Sequence, residues 1–105
     1  MHPDVPQIDL DGAKSLLDSD SAVFVDIRDP ASHAAAHIPG ATHITSQQDL
    51  DAFCSGTEKD AEIVVYCYHG NSSKGATLYL AEQGFKNAKS MAGGFEAWRV
   101  RYPDA

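Results

Sequence analysis

At 105 residues, 43% of them hydrophobic and 22% charged, the chain can bury one core and no more, so a single domain over 1–105 is expected. A formal net charge of −7 repels nucleic acid and anionic membrane surfaces, and no stretch approaches the ~18 apolar residues of a membrane span. Two cysteines, Cys54 and Cys67, are too few for a disulfide framework and sit in no zinc-ligand spacing, so free thiols in a soluble, cytoplasmic protein are expected, with no metal site.

In chain order, Asp9 can cap a helix whose apolar positions are Leu10, Ala13, Leu16 and Leu17. Ala22-Val23-Phe24-Val25-Asp26 is a near-continuous apolar run and reads as a strand buried on both faces. Ala31 to Ala36 and Gln47 to Phe53 are weaker helical patterns, separated by a short strand near Thr42 to Ile44. Glu62-Ile63-Val64-Val65-Tyr66 repeats the buried-strand pattern. After it, Ser73 can cap a helix with an apolar face of Ala76, Leu78, Tyr79 and Leu80, stopped by Gly84. A last strand near Lys89 to Met91 precedes Gly93-Gly94 and a helix carrying Phe95, Ala97, Trp98 and Tyr102, ended by Pro103. Strand and helix alternate throughout, which gives an α/β domain with a central, mostly parallel sheet and helices on both faces.

Chemistry concentrates in Cys67-Tyr68-His69-Gly70-Asn71-Ser72-Ser73-Lys74. A buried strand delivers Cys67 to the carboxyl edge of the sheet, where open α/β folds place ligands, and a helix begins a few residues later. The first N–H groups of a helix lack internal partners and carry the positive end of its dipole, so a sulfur over them is favoured as thiolate. Gly70 and Asn71 are residue types that let a loop turn its amides inward as an anion nest. The competing reading is a small hydrophobe at a strand end.

The run Cys67 to Ser73 resembles the active-site loop of the rhodanese family, in particular that of its short single-domain members, the GlpE-type thiosulfate sulfurtransferases. Asp26-Ile27-Arg28-Asp29-Pro30 with His37-Ile38-Pro39-Gly40-Ala41 resembles the family's N-terminal signature, and Gly93-Gly94-Phe95-Glu96-Ala97-Trp98 its C-terminal one. The resemblance implies a five-stranded parallel sheet flanked by helices and ping-pong sulfur transfer through a Cys67 persulfide. Thiosulfate would be the donor. Cyanide or a thiol would accept, with thioredoxin or a dithiol as physiological candidates, and no cofactor is called for because the persulfide is the carrier. Tyr68, His69, Gly70, Asn71, Ser72, Ser73 and Lys74 are the expected substrate-binding residues.

Several positions depart from the family pattern. Many rhodanese loops carry arginine where Ser72 stands; without that bidentate clamp, backbone amides and the Ser72 and Ser73 hydroxyls must hold the anion. Lys74 opposes the helix dipole, a local cost of roughly 0.3–1 kcal/mol, and is expected either to face the pocket mouth or to be a solvated surface residue. Tyr68 and His69 are expected to pack the loop rather than move protons. Arg28 is expected to pair with a carboxylate more than to form the rim, His37 to be structural, His33 and His43 to be at the surface, and Cys54, Phe95 and Trp98 to pack in the core. The rival enzyme class is a phosphatase or arsenate reductase of related fold. By resemblance its loop is one residue longer and ends in arginine, both absent here. A rhodanese-like module that only carries persulfide or senses sulfide is the other alternative.

Overall fold

The computed structural model describes residues 5–103. Its elements are β1 (Gln7–Ile8), α1 (Leu10–Asp18), β2 (Val23–Asp26), α2 (Pro30–Ala35), β3 (Thr42–His43), α3 (Gln47–Gly56), β4 (Ile63–Tyr66), α4 (Ser72–Glu82), β5 (Ala88–Met91) and α5 (Gly94–Arg101). The five strands form one sheet in the order β1-β5-β4-β2-β3, and every pairing is parallel. The expected strands and helices are present, with boundaries moved by one to three residues. One was not expected from the residues themselves: β1, two residues long and half-exposed, is too short to show a pattern.

β4 explains the layering. All four of its residues are fully buried, and successive side chains alternate between two cores. Val64 and Tyr66 join Phe24, Ala13 of α1 and Phe95 and Trp98 of α5 on one face. Ile63 and Val65 join Val25, Phe53 of α3 and Leu80 of α4 on the other. Each aliphatic side chain so buried contributes roughly 1.5–3 kcal/mol. Helices therefore cover both faces, and the carboxyl ends of β2 and β4 emerge side by side, in the register Asp26 to Tyr66.

The helix starts are set locally. Asp9, Asp29 and Ser46 each accept a hydrogen bond from a backbone N–H in the first turn of α1, α2 and α3, and Pro30 opens α2, where its missing N–H costs nothing. α4 differs from expectation. Asn71 is its capping residue and makes no side-chain cap bond, while Ser73 lies inside the helix and is buried, because its hydroxyl is engaged elsewhere. The buried face of α4 is Ser73, Thr77 and Leu80, with Ala76 half-buried; Leu78 and Tyr79 are only partly covered. Thr77 is accommodated because its hydroxyl donates to the Ser73 carbonyl at 2.7 Å. Gly84 ends the helix with a φ of 97°, as its position implied.

Candidate active site

Cys67 is the first residue beyond β4, and the loop it opens is held from two directions. From the α4 side, the N–H groups of Gly70 and Ser73 donate to its Sγ at 3.2 and 3.3 Å. From the α5 side, the N–H of Phe95 donates to the Cys67 carbonyl at 2.7 Å and that of Glu96 to the Tyr68 carbonyl at 3.0 Å. The first amides of α5, which has no side-chain cap, are thus satisfied by the loop. Glycine is required at two points of this clamp. Gly70 has a φ of 90° and stands so close to Gly93 that a Cβ would meet its nitrogen at 3.1 Å, and a Cβ on Gly94 would overlap the Tyr68 carbonyl.

Cys67 is 7% exposed and lines a cavity of about 220 Å³ together with Ile27, Arg28, Tyr68, His69, Asn71 and Ser72. Gly70 and Ser73 stand behind it as donors, and Lys74, half-buried, is not part of the lining. Asn71 contributes its carbonyl to the first turn of α4, accepting from Lys74 N–H at 3.3 Å, and its φ of −89° makes no use of the left-handed freedom of asparagine. Tyr68 is 39% exposed and its hydroxyl is hydrogen-bonded to Ser32, which ties the loop to α2. The exposed His69 ring lies 6.2 Å from that of Tyr68.

Burial by itself pushes the Cys67 thiol up, but the Ser73 hydroxyl and the N–H groups of Ser73, Gly70 and His69 outweigh it, and the net direction is below the usual thiol range. The thiol form donates to Ser73 Oγ at 3.4 Å; in the thiolate form the hydroxyl reverses and donates to sulfur. Ser90 of β5, fully buried, completes the chain with its Oγ 2.7 Å from that of Ser73, so the Ser73 oxygen keeps a partner in either state. Sequence reasoning passed over Ser90, because a serine among Lys89, Ser90 and Met91 is unremarkable until the sheet sets it under α4. Ser73→Ala is expected to shift the pH dependence of Cys67 alkylation upward and to lower the rate of sulfur loading at neutral pH roughly tenfold, since a hydrogen bond to a charged group is worth ~1.5–3 kcal/mol. An unchanged pH profile would show that the amides alone hold the thiolate.

The other wall of the cavity rests on Asp26. Its buried carboxylate accepts from Arg28 Nη2 at 2.7 Å, Arg28 Nε at 3.0 Å, the Arg28 N–H at 2.9 Å, the Tyr66 hydroxyl at 3.1 Å and His33 Nδ1 at 2.8 Å. Burial pushes this carboxyl up, but the bonds from Arg28 and His33 win and hold it down at about 2. The Arg28 side chain, 3% exposed, also donates to the Ala36 carbonyl at 2.5 Å and lies 4.1 Å from the Phe95 ring centroid. Pairing with a carboxylate is therefore its observed role, and its charge is neutralised before it reaches the cavity.

The histidines depart from expectation. His33 and His43 are half-buried, not at the surface, and stack with ring centroids 4.2 Å apart, while the exposed His37 stacks on the other side of His33 at 3.9 Å. His37 Nδ1 donates to the His33 carbonyl and His43 Nε2 to the Arg28 carbonyl, each at 2.7 Å, so the stack braces the Asp26–Arg28 pair. Among the described residues no group of three or more His, Cys, Asp or Glu side chains is arranged to hold a metal ion. Cys54 is half-buried against the α3/α4 core, and no disulfide links it to Cys67.

The family model for the rhodanese-like domain matches residues 9–101. A thiosulfate sulfurtransferase GlpE from Pseudomonas fluorescens is 53% identical over 87 residues, covering 83% of this chain and 79% of that protein. Among solved structures, the human single-domain sulfurtransferase TSTD1 superposes with a TM-score of 0.77 at 26% identity, covering 93% of this chain and 98% of its own. A Rhodopseudomonas palustris protein of unknown function, described as a possible tyrosine phosphatase, does so with a TM-score of 0.77 at 27% identity, over 92% of this chain and 81% of its own. Fold similarity thus extends to a protein for which phosphatase chemistry has been suggested, but the family match and the high-identity relative agree with the loop, and the chain belongs to the rhodanese-like domain family.

Proposed function

We propose that this protein is a thiosulfate sulfurtransferase in which Cys67 carries the transferred sulfur as a persulfide. The observation that carries the reading is the Cys67 sulfur at the floor of a small cavity, with two backbone N–H groups donating to it. The thiolate attacks the outer sulfur of thiosulfate, the S–S bond breaks, and sulfite leaves with the bonding pair. No general base is required for a thiolate already formed. Ser72 and Asn71 line the cavity, and the Ser72 hydroxyl and the Asn71 side chain are assigned to the growing charge on sulfite, and Gly70 and Ser73 to the Cys67 sulfur. Tyr68 and His69 complete the wall. A thiophilic acceptor, cyanide in an assay or a thiol such as thioredoxin or a dithiol, then takes the outer sulfur and regenerates the thiolate. The free cysteines suit the reducing cytoplasm, and residues 1–105 are read as one domain.

Phosphate chemistry is disfavoured by the same geometry. The only cation lining the cavity among the described residues is Arg28, and it is committed to Asp26. Phosphoryl transfer would seat a phosphorus with its three oxygens on the loop with no free guanidinium to hold them, whereas thiosulfate, also a dianion, need bring only its outer sulfur to Cys67. Lys74, outside the lining, is assigned to long-range attraction of thiosulfate. Lys74→Ala should then weaken the ionic-strength dependence of loading while leaving the plateau rate unchanged, and a salt profile identical to the parent would remove this role.

Mass spectrometry after incubation with thiosulfate tests the reading directly. The expected result is an increment of one sulfur atom on the Cys67 peptide, lost on adding cyanide with release of thiocyanate. Absence of both adduct and thiocyanate would refute the enzyme; adduct without turnover would mark a persulfide carrier.

A further inference from the structure

A second cavity, of about 280 Å³, lies between α3 and α4 and shares one wall residue, Ile27, with the first. The two also adjoin on α4. Ser72 lines one and Ala76 the other, four residues apart on one helix face. The walls of the second cavity are aliphatic, with Ile44, Val65 and Leu80 buried in the core beneath and Ile27, Leu50 and Ala76 half-buried, so packing leaves apolar surface uncovered beside the reactive sulfur. Its polar side is Thr45, Ser46 and Gln47. Behind these, Asp49 accepts from the Thr45 N–H at 3.2 Å and Asp51 from Gln47 at 2.9 Å, and among the described residues no lysine or arginine lines the space. Two carboxylates and no cation disfavour an anionic occupant; aliphatic walls favour an uncharged chain.

We propose that this second cavity is the acceptor subsite, and that it takes the uncharged, unbranched aliphatic chain of a thiol whose sulfur reaches past Ile27 to the Cys67 persulfide. The inference rests on the persulfide reading above. In the step it serves, the acceptor thiolate attacks the outer sulfur of the persulfide and a new S–S bond forms. The bond between that sulfur and Cys67 Sγ breaks, and Cys67 departs as the thiolate held by Gly70 and Ser73. One thiolate is consumed and one released, the acceptor leaves as an alkyl persulfide, and no oxidant or reductant enters.

The test compares 3-mercaptopropanol, 4-mercaptobutanol and 6-mercaptohexanol, neutral thiols of similar acidity, as acceptors for thiosulfate-loaded protein, with cyanide run alongside. Each methylene that enters the cavity is expected to raise kcat/KM about 3–4-fold, roughly 30–60-fold over the three added across the series, from the transfer free energy of a buried methylene. 1-Hexanol, which has no thiol, should compete with 6-mercaptohexanol and leave cyanide turnover unchanged. Ala76→Leu, which keeps a strong helix former at that position, should flatten the series and spare cyanide. A flat series in the parent protein with cyanide turnover intact would overturn the acceptor subsite; absence of thiocyanate would instead overturn the reading on which it rests. The parent measurements decide the question even if the variant does not fold.

Discussion

Cys67→Ser is expected to reduce thiocyanate formation to the rate without protein and to abolish the sulfur adduct. Serine is nearly the same size and can accept from the same Gly70 and Ser73 N–H groups, so the loop should keep its conformation. A hydroxyl at that position stays protonated at neutral pH and cannot form a persulfide, so the loss is chemical. Thermal unfolding within about 1 kcal/mol of the parent is the control that separates a missing nucleophile from a collapsed loop. Retention of thiosulfate-dependent turnover above background would remove Cys67 from the mechanism. The parent's loading rate should fall with acid as the thiolate is protonated, and its plateau should begin at a lower pH than for an ordinary cysteine. The same depressed pKa contributes stability above the unfolded thiol's value, and that contribution is lost as pH falls through the folded one.

Asp26→Asn is expected to have the largest effect on stability, roughly 3–5 kcal/mol, because it leaves the Arg28 guanidinium buried without its counter-charge. Against the ~5–15 kcal/mol that holds a domain of this size together, that is a large fraction. At about 4–8 °C per kcal/mol, Tm should fall by well over 10 °C. A fall of less than about 1 kcal/mol would show that Tyr66, His33 and the Ala36 carbonyl suffice to hold Arg28. In the parent, Asp26 contributes stability that is fully present above the ordinary carboxyl value of 3.8 and is lost as pH falls through about 2. Because Ile27 and Arg28 line the cavity between this pair and the Cys67 loop, a weakened affinity for thiosulfate should accompany any variant that still folds.

Those two expectations differ in how much of each was legible in the chain. Cys67, the proposed nucleophile, was visible because a four-residue apolar strand, a cysteine and a glycine-containing loop are contiguous, and local patterns of this kind survive folding. Asp26 and Arg28 were visible at a strand end, and Arg28 as a residue to pair with a carboxylate, though not with which one. Tyr66 and His33 as their partners were not, since the side chains meet only when β2 and β4 lie in register and α2 folds over them. For Ser73 the sequence suggested a hydroxyl for the anion and a cap, a local role for a serine before a helix. The structure gives it a tertiary one, because Cys67 and Ser90 reach its hydroxyl from two strands.

By itself, the sequence determined the order of strands and helices from α1 onward, the layered class they form, a cysteine at a strand end before a glycine-containing loop, and the lack of an arginine in that loop. Each follows from residues adjacent in the chain, where hydrophobic period, capping side chains and loop composition act over a few positions. Only the tertiary structure decided which groups face the sulfur, that Arg28 is neutralised by Asp26, that the α5 amides grip the loop carbonyls, and that a second, apolar cavity shares Ile27 with the first. The physical reason is that hydrogen bonds and cavities depend on distances between elements far apart in sequence. Parallel pairing in the order β1-β5-β4-β2-β3 sets those distances, and no local pattern encodes them.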